Sequence, residues 1–165
     1  MKKVILIFGS VIGLVLATNS IFHMDMMYSN PDYVGNDVIG YATMVIVFSV
    51  IYFGVRNYRN KLLDGQISFL KALKTGALIC FVASTYYVVL GLLYYHFVVP
   101  DFMDVYADYM IKNAPASEVE ATTAQMASFK EMTKNPFFLV LFSYFEVLPI
   151  GMIVALISAL IVKKK

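Results

Sequence analysis

The chain has 165 residues, 60% of them hydrophobic, with a mean hydropathy of +0.73 and a formal net charge of +2. A water-soluble domain of this size does not carry so apolar a composition, and the small net charge is no signature of nucleic-acid binding. The single cysteine, Cys80, excludes an intrachain disulfide and a cysteine-based metal site.

The apolar residues form uninterrupted runs without the period of a water-facing helix or strand, so the whole chain, 1–165, reads as one all-α polytopic membrane domain. The first run, residues 4–22, is long enough to cross about 30 Å of hydrocarbon at about 1.5 Å per residue. Met1-Lys2-Lys3 before it and Ala17-Thr18-Asn19 near its end also have the layout of a signal peptide. The run is long for that role and Asn19 suits a cleavage point poorly, so retention as a first span is the expectation. The connector 23–37 carries Asp25, Asp32 and Asp37 and no Lys or Arg.

Residues 38–55 form the second run. The next connector, 56–75, holds Arg56, Arg59, Lys61, Lys71 and Lys74, with a turn signal at Asp64-Gly65. Ile67 to Leu73 reads as an interfacial helix whose Lys71 and Lys74 meet anionic headgroups. The third run is 76–99. Segment 100–136 is too long for a plain turn and is expected to fold as an extracytoplasmic helical hairpin. Its first helix, 101–113, aligns Phe102, Tyr106, Tyr109 and Met110. Its second, opened by a Ser117–Glu120 capping box, aligns Val119, Met126 and Phe129. Asn135-Pro136 precedes the fourth run, 137–162.

Ten of the thirteen basic residues, Lys2, Lys3, the five of connector 56–75, Lys163, Lys164 and Lys165, lie at the termini and the second connector. The positive-inside bias therefore places both termini in the cytoplasm.

Glu146 lies about nine residues, or about 13 Å, inside the fourth run. A charge at that depth is costly, and no Lys or Arg occurs in any run to pair with it, so the protonated carboxyl is the expected form. Glu146 is thus the candidate proton or polar site, with Ser49, Ser84, Tyr86 and Tyr87 at compatible depths. The alternative is an interhelical strut beside the Pro149 kink. Small residues recur at Gly9, Gly13 and Ala17 in the first run and at Gly151, Ala155 and Ala159 in the last, which suits a close seam between those two antiparallel spans or a homodimer contact. His23 and His96, near Asp25 and Asp101, are weak metal candidates, and Asp101, Asp104 and Asp108 read as a solvated helix face rather than a cation site. No cofactor is expected.

Tyr58-Arg59, the stretch Asp64-Gly65-Gln66-Ile67-Ser68-Phe69-Leu70-Lys71-Ala72, Gly76, Tyr94-Tyr95 and Pro100-Asp101-Phe102 together resemble a family of bacterial integral membrane proteins, the domain of unknown function 4199. The resemblance implies a four-span protein of the Gram-negative inner membrane and brings no activity with it. An accessory or structural membrane protein that contacts lipid, other membrane proteins or further copies of itself is the simplest function. The alternative is an oligomeric proton-coupled transporter of small solutes, because four spans alone leave little room for two gated halves. An intramembrane enzyme lacks a visible nucleophile and base.

Overall fold

The structure, a computed structural model, describes residues 1–30 and 32–164, which leaves Lys165 of the basic C-terminus outside the described residues. Among the described residues seven helices follow in order: α1 (Lys2–Ser29), α2 (Asp37–Phe48), α3 (Val50–Leu62), α4 (Phe69–Phe97), α5 (Phe102–Lys112), α6 (Val119–Thr133) and α7 (Pro136–Val162). Four stretches among the described residues are long and apolar enough to cross a membrane: α1, α2 with α3 (Asp37–Leu62), α4 and α7. The all-α class and the four candidate spans agree with the reading of the sequence.

The helices run beyond the apolar runs because helix propagation does not stop where hydropathy does; it stops at caps and breakers. Asn36 Oδ1 accepts from the Ile39 N–H at 3.2 Å, Ser68 Oγ from the Lys71 N–H at 3.4 Å, and Asn135 Oδ1 from the Phe137 N–H at 3.0 Å, with Pro136 opening α7. The first span extends through His23 and Asp25 to Ser29, and the second absorbs Arg56, Arg59 and Lys61. The second connector is thereby reduced to residues 63–68, where Asp64 and Gly65 take positive φ of 49° and 82° and make the expected turn.

Two local expectations are corrected. Ile67 to Leu73 is not a separate interfacial helix: Ile67 pairs with Lys164 in an isolated antiparallel bridge, and α4 continues from Phe69 without a break. The Ser117–Glu120 capping box does not form, because a turn closed by the Glu118 N–H on the Pro115 carbonyl delays the helix until Val119 and makes Glu118 the cap residue, without a side-chain bond. Ser49 separates α2 from α3; its hydroxyl donates to the Ile46 carbonyl at 2.5 Å, a back-bond that competes with the helical ladder.

α4 is the central helix, packed along α1 on one side and α7 on the other. A Cβ added to Gly9 would meet Val82 Cβ at 2.7 Å, and one added to Gly13 would meet the Ala83 carbonyl at 2.6 Å. One added to Gly151 would run into Cys80 Sγ, and Gly76 stands against Ala155. Residue numbers rise together along α1 and α4 and in opposite senses along α4 and α7, so the first pair is parallel and the second antiparallel. The expected seam between the first and last spans is therefore corrected: both small-residue stripes bring a helix close to α4 instead of to each other. Ala17, Ala155 and Ala159 are buried. The opposite faces of the helices are apolar and open, as at Leu6, Ile46, Phe81, Phe145 and Ile153, the surface that a bilayer solvates.

One end of the bundle is basic. Arg59 Nη1 donates to the Val162 carbonyl at 2.9 Å, and the Lys164 N–H donates to the Ile67 carbonyl at 3.0 Å, so the ends of α3 and α7 and the start of α4 meet there. Because α1 and α4 are parallel, Lys2 and Lys3 belong to the same end. The other end carries α5 and α6, which pack on each other and are joined by the Lys130–Asp104 ion pair. Phe102 is buried and stacks on Tyr106, whereas Val119 remains exposed and only Met126 and Phe129 of its predicted stripe turn inward.

Candidate functional site

A partly open cavity of about 450 Å³ lies in the half of the bundle away from the basic end. Each element contributes the portion nearest that end: α1 from Leu16 to Met27, the start of α2, α4 from Tyr87 to Tyr95, Phe102 to Tyr106 of α5, and α7 from Leu139 to Glu146. Glu146 is the deepest lining residue of α7 and Tyr87 the deepest of α4. Both stand about 15 Å from the nearer end of their helices at the ordinary helical rise, so they share one level.

Helical geometry explains why Glu146 points there. Phe145 is 80% exposed and Val147 is fully buried in the core of the bundle, and the 100° step between neighbours leaves Glu146 between the two directions. Glu146 is exposed and forms part of the cavity wall. The Tyr87 hydroxyl donates to Glu146 Oε2 at 3.2 Å, and Ser20 Oγ donates to the Tyr87 oxygen at 3.4 Å. A polar chain thus runs from α1 through α4 to α7.

Of the four candidate partners for Glu146, only Tyr87 is recorded bonding to it. Ser49 turns back on its own helix, Ser84 is fully buried, and Tyr86 is exposed beside the Gly13 contact. Tyr144, two residues earlier on α7, donates instead to Thr85 Oγ1 at 2.9 Å.

The mouth is also polar. Asp37 opens α2, His23 Nδ1 is paired with the Tyr33 hydroxyl, and the Gly35 N–H donates to Tyr109 of α5 at 3.0 Å. Burial, and then the Asp37 carboxylate, raise the Tyr106 hydroxyl above the ordinary phenol range, so it remains a donor at the cavity wall. The contribution of segment 23–37 and of α5 to this wall is not visible in any local motif.

The metal candidates are separated. Asp25 accepts from Tyr94 at 2.7 Å, His96 is exposed with its ring against Phe97, and Asp104 is paired with Lys130. Among the described residues no group of three or more His, Cys, Asp or Glu is placed to hold a metal ion.

No curated protein and no solved structure matches the chain. A family model does, over residues 7–164, and the chain therefore belongs to the family described as protein of unknown function, DUF4199.

Proposed function

We propose that this is a multi-pass protein of the bacterial inner membrane that binds a small solute in the acidic cavity and exchanges it against the proton of Glu146, working as an oligomeric carrier. Both termini are cytoplasmic in this reading, and the α5–α6 hairpin and the cavity mouth face the periplasm. The collection of Lys2, Lys3, Arg59, Lys163 and Lys164 at one end of the bundle supports that orientation. The close packing of α1 on α4 supports its retention as a span.

The observation that carries the proposal is that Glu146 lines a cavity instead of a packed seam. An accessory or structural role asks only that Glu146 be a strut, for which a fully enclosed position between α4 and α7 would serve. A carboxyl at membrane depth, held by one tyrosine and open to a space of about 450 Å³, is placed to meet a solute.

The test is proton-coupled flux in proteoliposomes with an imposed pH gradient and a panel of small solutes. Solute-dependent proton movement is expected with the parent chain and is expected to be lost in Glu146→Gln, which keeps size and much of the hydrogen bonding but has no titratable proton. Undiminished flux in that variant would exclude the proton-exchange role.

A further inference from the structure

The cavity wall holds two carboxyl groups, Glu146 at its deep end and Asp37 at its mouth, and among the described residues lining it there is no Lys or Arg. Its one histidine, His23, is engaged with Tyr33. None of the described ion pairs includes Asp37 or Glu146. An anionic ligand would meet acceptors and phenols without a countercharge, whereas a cation would supply the partner that the fold does not give Glu146.

The remaining lining agrees with that sign of charge. Tyr33, Tyr41, Tyr87, Tyr95 and Tyr106 line the cavity, and the faces of such rings attract ammonium groups. Met24, Met27, Met44 and Met103 supply polarizable walls that adapt to an apolar body. The volume lies within the range of about 300–1,000 Å³ common to small-molecule sites.

We infer that the cavity takes an organic cation, an amine or quaternary ammonium carrying an aromatic or alkyl body, with its charged head toward Glu146. The inference rests on the reading of the cavity as a binding site. The exchange balances: the cation enters beside the carboxyl, the carboxyl proton leaves to water, and the net charge of the site is unchanged. Tyr87 then donates to the resulting carboxylate, and Asp37 attracts the cation at the mouth.

The test uses the full chain in lipid nanodiscs, with binding measured by equilibrium dialysis against empty nanodiscs. Three probes share one ring and differ in charge: benzyltrimethylammonium, benzyl alcohol and benzenesulfonate. Three variants accompany the parent: Glu146→Gln, Asp37→Asn and Gly91→Leu. Gly91 lines the cavity and a Cβ built there meets no atom within 4 Å, so a leucine side chain starts in open space at the cavity wall.

Saturable binding of benzyltrimethylammonium alone is expected, weakened about tenfold in Glu146→Gln, less in Asp37→Asn, and abolished in Gly91→Leu. Thermal unfolding of each variant shows whether it is folded, and Asp37→Asn, at an exposed helix start, supplies the charge test if Glu146→Gln does not fold. Equal binding of benzyl alcohol or benzenesulfonate, lost in Gly91→Leu, would overturn the cation inference and leave the cavity reading standing. Binding of no probe, or binding indifferent to Gly91→Leu, would overturn both.

Discussion

The Tyr87 hydroxyl donates to Glu146 Oε2 at 3.2 Å, and this bond ties the central helix to α7 ten residues from the start of that helix. It gives the carboxyl a donor without giving it a countercharge. Glu146 is thereby held in place while keeping a free side toward the cavity.

Tyr87→Phe removes the donor to Glu146 and the acceptor of Ser20 while keeping the ring. The expected loss of thermal stability in detergent is about 1 kcal/mol or less, the size measured for interhelical hydrogen bonds in membranes. Glu146→Leu is expected to be at least as costly, because it leaves Tyr87 without its acceptor. A Tyr87→Phe protein that melts with the parent would show that the bond contributes nothing to the α4–α7 seam.

Close approach of α1 to α4 is tested at Gly13, where an added Cβ would sit 2.6 Å from the Ala83 carbonyl and from Tyr86 Cβ. Backbone cannot move aside as a flexible side chain can, so Gly13→Leu is expected to cost about 1–3 kcal/mol or more. Gly40→Ala, with nothing within 4 Å, is expected to stay within about 0.5 kcal/mol of the parent. Ala155→Leu, fully buried against Gly76, is expected to behave like Gly13→Leu, and the exposed Leu14→Ala like Gly40→Ala. Equal melting of all four would refute the packing of both stripes on α4.

Arg59 caps the final carbonyls of α7 by donating to Val162, a place where a cation also meets the negative end of the helix dipole. Arg59→Gln is expected to destabilise that end by about 1 kcal/mol and to speed amide exchange at Lys164 and Ile67, which bond each other next to it. Exchange unchanged at those two amides would mean that the bridge stands without the arginine.

Orientation is checked by single-cysteine labelling in a Cys80→Ala background, Cys80 being buried and free. Ser117→Cys and Ser128→Cys, both exposed in the α5–α6 region, are expected to react with a membrane-impermeant maleimide from the periplasmic side. Asn60→Cys, exposed at the basic end, is expected to react only after permeabilisation. The reverse pattern would invert every assignment of sides.

Number and approximate position of the spans were determined by the sequence alone, because the transfer of a residue run into hydrocarbon is a local, additive property that neighbours in space hardly alter. The turn at Asp64-Gly65 was legible for a similar reason, since positive φ is a demand made on two consecutive residues. Glu146 stood out because a carboxyl at that depth is expensive in any fold. What surrounds it was decided only by tertiary structure. A stripe of small residues states that a helix approaches another closely but not which one, so Gly9 and Gly151 alone could not reveal that α4, and not each other's helix, receives them. The same holds for the cavity: Asp37, Tyr87, Tyr106 and Glu146 come from four separate helices, and their juxtaposition follows from the parallel packing of α1 on α4 and the antiparallel packing of α7, a choice made by shape complementarity among many apolar faces of nearly equal hydropathy.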